Sequence, residues 1–224
     1  MILQKIRGSS LESVGKLKFK FADDKYESIG SASIIIFKGE IFIATAAHCL
    51  YDLKTNKVSR DIYLEFEKNK VIKNIKITNV AIPKKWKDTQ LLTYDYAFGK
   101  VNSPFEEDIR PFYPKFDFKA DKNDQKIFIS GYQLKLFSAK LTTKSTLINS
   151  SFFKYDGLIS IKKNLKTGVS GGPWYFKEAE KNIQIGVTSA KIKGFKNQVW
   201  APVWDKNTQT LLEKLWKSDK NILY

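Results

Sequence analysis

Apolar and polar positions alternate with a period of two along much of this chain. Leu17, Phe19 and Phe21 alternate with Lys16, Lys18 and Lys20, the pattern of a strand with one buried face. Residues 34–37 and 41–43 are apolar runs on either side of Lys38-Gly39-Glu40 and predict a β-hairpin. The second arm leads into Thr45-Ala46-Ala47-His48-Cys49-Leu50, where small residues can turn tightly and start one helical turn. Residues 62–66 alternate again, and 71–80 form a β-branched run closed by Pro83-Lys84-Lys85-Trp86. Residues 91–101 read as strand-like, with one carboxylate, Asp95, in the middle.

Residues 103–125 carry Pro104, Pro111, Pro114 and many charges, which reads as a crossover between two units. Beyond it, 127–130 with Gly131 predict a short strand and a turn, and 138–150, 151–161, 183–190 and 199–203 predict further strands. Residues 208–216 have helical spacing, with Leu211, Leu212 and Leu215 on one face, and Ser9-Ser10-Leu11-Glu12 could cap a short helix. Short strands in each half, a proline-bearing link and one final helix predict an all-β fold of two antiparallel β-barrels. Residues 1–110 and 111–224 would be its two barrel subdomains, forming one domain together.

Composition narrows the class. A chain of 224 residues with 42% hydrophobic and 14% aromatic residues has ample material for a core. Its longest apolar runs are short, such as 34–37, against the roughly 20 residues a membrane-spanning helix needs. The first thirty residues lack an apolar core with a small-residue cleavage site, and Cys49 is the only cysteine. The expected location is therefore the cytoplasm, or outside the cell if a leader has been removed. The net charge of +16 raises nucleic acid as a partner, but of 39 basic residues only Arg7, Arg60 and Arg110 are arginine. The lysines are spread along the chain, so a solvated basic surface is the expectation and nucleic acid is disfavoured. Neither a metal nor another cofactor is called for.

Candidate chemistry sits in three segments. Thr167-Gly168-Val169-Ser170-Gly171-Gly172-Pro173 holds a serine in a glycine-rich turn, which exposes a hydroxyl among backbone N–H groups. Such a cluster alone is most often a plain loop. Its weight comes from the single histidine, His48, in the small-residue turn, and from Asp95. A serine hydroxyl needs a base at neutral pH, and that base needs an orienting carboxylate. An imidazole, with an ordinary pKa near ~6.5, can take the proton and return it to a leaving group. Asp52, Asp61 and Asp108 remain rival carboxylates, with Asp52 expected to face solvent on the helical turn.

Thr45-Ala46-Ala47-His48-Cys49 and Gly168-Val169-Ser170-Gly171-Gly172-Pro173 resemble the two signatures of trypsin-like (chymotrypsin-fold) serine proteases. Tyr94-Asp95-Tyr96-Ala97 is similar to that family's Asp-x-Ala segment, and the order His, Asp, Ser is the family's order. Gly186-Val187-Thr188-Ser189 resembles the strand beside the specificity pocket, and 199–203 with the last helix resembles the family's closing elements. The resemblance spans about residues 30–218. It implies two six-stranded antiparallel β-barrels with a C-terminal helix, and an endopeptidase working through an acyl-enzyme. His48 would be the general base, Asp95 its orienting carboxylate and Ser170 the nucleophile. Gly168 and Ser170 would supply the N–H groups of the oxyanion hole. Ser189 would also sit beside Asp95.

The same resemblance assigns Asn164 and Leu165 to the base of the specificity pocket, and Ser189, Ala190 and Lys191 to one wall. No carboxylate stands at that base, which argues against a strict Lys/Arg preference and for a neutral or acidic residue before the cut. Many relatives carry an Asp immediately before the nucleophile to receive a new N-terminal amine. Here that residue is Val169, and no Ile-Val-Gly-Gly start is present in the first thirty residues. The protein is expected to be active as made, or switched by an activating protein partner or by loop ordering; bacterial members of the wider family often lack this Asp too, so the resemblance is to a bacterial-type member. The substrate would be a protein or peptide, cut with narrow specificity, with a bacterial defence or toxin system as one setting. The alternative reading is a protease-like binding protein that holds an acidic partner or nucleic acid on its basic surface.

Overall fold

The computed structural model describes residues 13–68, 71–101, 109–119, 125–135, 138–147, 152–155, 157–192 and 197–224. The short helix expected near Ser9 lies outside the described residues. The first half contains β1 (Val14–Lys20), β2 (Ser28–Phe37), β3 (Glu40–Thr45), the one-turn helix α1 (Ala47–Leu50), β4 (Tyr51–Asp52) and β5 (Lys57–Val58). It continues with β6 (Arg60–Lys68), β7 (Val71–Ile82), α2 (Lys84–Thr89) and β8 (Ala97–Val101). Its sheet runs β7-β6-β1-β2-β3-β8, and β8 pairs back onto β7 to close six antiparallel strands into a barrel.

Local chemistry sets these elements. The alternation in β1 places Leu17 and Phe19 inside and the intervening lysines at the surface. Lys38 and Gly39 both have positive φ (49° and 82°) and close a two-residue turn between Phe37 and Glu40. That turn type matches the right-handed twist of the strands it joins. Pro83 stands just before α2, where its missing N–H costs nothing.

One expectation is corrected here. Residues 91–101 are not a single strand. A 3-10 turn covers Leu92–Tyr94, Asp95 is the centre of an inverse γ-turn (φ −81°, ψ 63°) with Tyr96 N–H donating to the Tyr94 carbonyl at 2.9 Å, and only then does β8 begin. An apolar run this short carries no period that separates turn from strand.

The second half contains β9 (Tyr113–Pro114), β10 (Lys126–Lys135), β11 (Ser138–Leu147), β12 (Phe152–Tyr155), β13 (Leu158–Lys162), β14 (Pro173–Glu178), β15 (Lys181–Val187) and β16 (Gln198–Pro202). The helix α3 (Lys206–Trp216) follows. β17 (Ile222–Leu223) then returns to the first sheet, beside β7. A five-stranded sheet (β11-β10-β14-β15-β9) and a three-stranded sheet (β12-β13-β16) meet at a Gly186–Val203 bridge and enclose one core. Ile127, Ile129, Ile159, Ile161, Trp174 and Ile185 fill it. The turn expected at Gly131 is a second correction: β10 runs straight through it. A side chain there would press on Val169 and on the Ser31 hydroxyl, so this glycine serves a close approach.

A third cluster joins the halves. Ile35, Phe42 and Phe98 from the first meet Tyr175, Val187 and Trp204 from the second, with Phe112 between them and Leu211, Leu212 and Leu215 of α3 as a lid. Phe98 and Trp204 lie 5.5 Å apart, and Phe112 and Tyr175 4.9 Å apart, between ring centroids. Candidate site residues from both halves are held on this frame. Among the described residues no helix is long and apolar enough to cross a membrane.

Candidate active site

Ala46 and Ala47 are fully buried and small enough for β3 to turn into α1 against the barrel, which brings His48 to the edge of the first half. Asp95 arrives through the γ-turn at the head of β8. Its carboxylate is fully buried and takes three hydrogen bonds. The His48 backbone N–H donates to Oδ1 at 2.9 Å, and His48 Nδ1 lies 2.8 Å from Oδ2. The Ser189 hydroxyl also donates to Oδ2. Nδ1 is therefore engaged by Asp95, and Nε2 is the ring nitrogen left to face other groups.

The electrostatics of the pair follow from this geometry. Burial works against a charged imidazole, yet the Asp95 carboxylate, the Cys49 side chain and the Asp95 hydrogen bond together raise His48 well above its usual value near 6.5. Burial likewise opposes the Asp95 charge, and His48 with the Ser189 hydroxyl overcomes it, holding the carboxyl below the ordinary range. About a third of the His48 side chain (35%) stays exposed, so the ring can meet a ligand.

Ser170 stands in the turn before β14, and that turn packs against β2 and the junction between β3 and α1. A side chain at Gly171 would overlap the Thr45 hydroxyl and the Ser31 carbonyl and come within 3.0 Å of Ala46 N. Only glycine allows this approach, and its φ of +83° favours glycine as well. Gly171 N–H donates to the Thr188 carbonyl at 2.7 Å, and Thr188 N–H donates to the Gly172 carbonyl at 2.8 Å. Thr188 precedes Ser189, so this ladder fixes the serine turn relative to the residue that holds Asp95. The Ser170 hydroxyl makes no hydrogen bond among the described residues. In unliganded sites such bonds are often long and tighten only with substrate.

Backbone N–H groups are oriented too. The Thr167 carbonyl accepts from Leu134 N–H at 2.9 Å, and its peptide to Gly168 is trans. The Gly168 N–H therefore points the opposite way, off β10. Neither it nor the Ser170 N–H has an acceptor among the described residues. Gly168 has φ +95°, and a side chain there would strike the Tyr132 carbonyl at 2.7 Å.

A match to the Trypsin family model covers residues 25–205, which is most of the chain. The chain belongs to the trypsin family. It is a trypsin-like serine endopeptidase, a hydrolase. Among solved structures it is similar to a thermostable serine protease, AL20, from an extremophilic microorganism, at 16% identity and TM-score 0.74, covering 93% of this chain and 98% of that one. It is also similar to the protease Anisep from Arthrobacter nicotinovorans, at 17% identity and TM-score 0.75, covering 92% and 96%. A third is a Glu endopeptidase, at 16% identity and TM-score 0.72, covering 93% and 92%. At these identities the likeness is one of fold, the chymotrypsin-like pair of barrels with a C-terminal helix. No curated protein sequence matches the chain.

The other candidate residues of this trypsin-family chain fall in different places. Leu165 is buried in the second-half core beside Val169, whereas Asn164 is exposed. Ser189 is buried against Asp95, Ala190 is partly exposed with its carbonyl accepting from Trp200 N–H at 3.0 Å, and Lys191 is exposed. Among the rival carboxylates, Asp52 lies in β4 beyond the helical turn where it was expected. It accepts from Lys54 N–H at 2.9 Å and the Thr55 hydroxyl at 2.8 Å, the latter chiefly lowering its pKa. Asp61 pairs with Lys20 and Arg60 at the surface, and Asp108 lies outside the described residues. No cluster of three or more His, Cys, Asp or Glu suited to a metal ion occurs among the described residues. Sequence reasoning missed Ser31 and Thr188, which make buried contacts to the serine turn. The one hint in the sequence was Ser31 and Ser33, small polar residues leading into the apolar run 34–37.

Proposed function

We propose that this endopeptidase cleaves peptide bonds through Ser170, His48 and Asp95. The observation that carries the reading is the buried Asp95 carboxylate 2.8 Å from His48 Nδ1, with the Ser170 turn packed against Thr45 and Ala46, just ahead of the helix that carries His48. Ser170 Oγ attacks the peptide carbonyl carbon and its proton passes to His48 Nε2. The oxyanion that forms takes hydrogen bonds from Gly168 and Ser170 N–H. As the C–N bond breaks, His48 returns the proton to the leaving amine, leaving an acyl-enzyme. Water then repeats the sequence in reverse and releases the acid. Asp95 stays ionised, fixes the tautomer and stabilises the imidazolium.

The orientation of the Gly168 N–H supports an oxyanion site formed at rest. Val169 supports activity without a new N-terminus, because its side chain is packed in the core where a carboxylate would need a cationic partner. For specificity, Lys191 is exposed at the expected pocket wall and no acidic group stands beside it in sequence, which favours a neutral or acidic residue before the cut. The likeness to a Glu endopeptidase accords with the acidic choice. The test is labelling by a fluorophosphonate probe with Ser170→Ala as control, followed by a fluorogenic peptide library. Wild type should be labelled and the variant not. Unlabelled wild type would sink the reading, and efficient cleavage only after Lys or Arg would sink the specificity.

A further inference from the structure

The carbonyls of residues 167–170 all accept hydrogen bonds, and these bonds determine where the Gly168 and Ser170 N–H groups point. Three of the four donors are backbone groups: Leu134 N–H to Thr167 at 2.9 Å, Gly172 N–H to Val169 at 2.9 Å and Ser31 N–H to Ser170 at 2.7 Å. The fourth is a side chain. The Ser31 hydroxyl donates to the Gly168 carbonyl at 2.8 Å, across 137 residues of sequence. The same oxygen accepts the Tyr132 N–H at 2.8 Å, so its single proton and one lone pair are both committed. The Ser31 carbonyl in turn accepts from the Thr45 hydroxyl at 2.8 Å, three residues before His48. Ser31 and Gly168 are both buried, away from bulk water.

We infer that Ser31 is a positioning residue for the oxyanion turn: its hydroxyl pins the peptide between Gly168 and Val169 and so aims the N–H groups on either side. This rests on the proposed serine chemistry and names the side chain that, among the described residues, donates to the carbonyls of 167–170. Removing the hydroxyl takes away the donor that holds the Gly168 carbonyl. A buried unpaired carbonyl rotates toward any other donor, and the planar peptide carries its neighbours with it. The negative charge these N–H groups meet develops only on the way to the transition state, so the loss falls there rather than on substrate binding.

The test compares Ser31→Ala with Ser33→Ala. Ser33 is equally buried, two residues along β2, and its hydroxyl donates to Gln184 Oε1 at 2.9 Å, away from the turn. Casein hydrolysis and the inactivation rate with a fluorophosphonate probe are the readouts. Ser31→Ala should lower kcat on the order of 10²-fold with KM little changed, and the probe rate should fall alike. The acid-limb inflection of the pH profile should stay put, since the His48–Asp95 contact is untouched. Ser33→Ala should shift the melting temperature comparably and keep kcat within about threefold of wild type. The inference is overturned if Ser31→Ala matches Ser33→Ala in kcat, or if its loss tracks KM or the folded fraction. Should Ser31→Ala not fold, Ser31→Cys, of near-equal volume with a weak donor, carries the same comparison. Wild type inert to casein and probe alike removes the serine mechanism and this inference with it; active wild type with an equally active Ser31→Ala removes the inference alone.

Discussion

His48 and Asp95 make the pH behaviour of this protein predictable in sign. Under the proposed mechanism the imidazole must be neutral to accept the Ser170 proton, and the Asp95 charge holds its proton more tightly than usual. Activity should therefore rise with pH along one ionisation whose midpoint lies above 6.5, because Asp95, lowered by His48 and Ser189, stays ionised throughout. A kcat/KM profile checks this, and a midpoint at or below 6.5 would contradict it. Asp95→Asn should lower kcat on the order of 10⁴-fold and move the midpoint down. Linkage gives a second readout. A histidine raised in the folded state contributes stability fully present below its unfolded value, lost as pH rises through the folded one. In an inactive Ser170→Ala background, Asp95→Asn should thus cost more stability at pH 6 than at pH 9, measured by chemical denaturation.

Among the elements, α3 carries the clearest local signal. Asp205 accepts from Thr208 N–H at 2.9 Å while Thr208 Oγ1 accepts from Asp205 N–H at 3.2 Å, a capping box that ties down both ends of the first turn. Asp205→Ala should cost about 1 kcal/mol, seen as a melting shift of roughly 2–4 °C with activity per folded molecule unchanged. The helix and the β2–β3 hairpin were legible because their signals are local: leucine spacing in one, a two-residue turn in the other. The Asp95 segment and β10 were misread for the complementary reason. Leu91-Leu92-Thr93-Tyr94 is apolar without a period, and Gly131 looks like punctuation until Val169 and Ser31 are seen pressing on it from distant parts of the chain.

The molecule as a whole depends on the cluster between its halves. His48 and Asp95 come from one half and Ser170 and Ser189 from the other, so their alignment requires Trp204, Phe98, Phe112 and the α3 leucines to stay packed. Leu212→Ala should cost about 2–5 kcal/mol. Fluorophosphonate labelling should fall in parallel with unfolding as denaturant rises; labelling that persists after the melt would show that the halves need not dock. The chain alone was enough to predict an all-β fold, and to single out a serine, a histidine and a carboxylate in the order the trypsin family uses. Those are properties of residue type, short-range period and order, which survive without coordinates. Only the folded chain decided that Asp95 sits at a γ-turn under three hydrogen bonds, that Leu165 belongs to a core, and that Ser31 reaches Gly168. Contacts between residues more than a hundred positions apart depend on how two sheets close and dock, and no local pattern of apolar and polar residues encodes that.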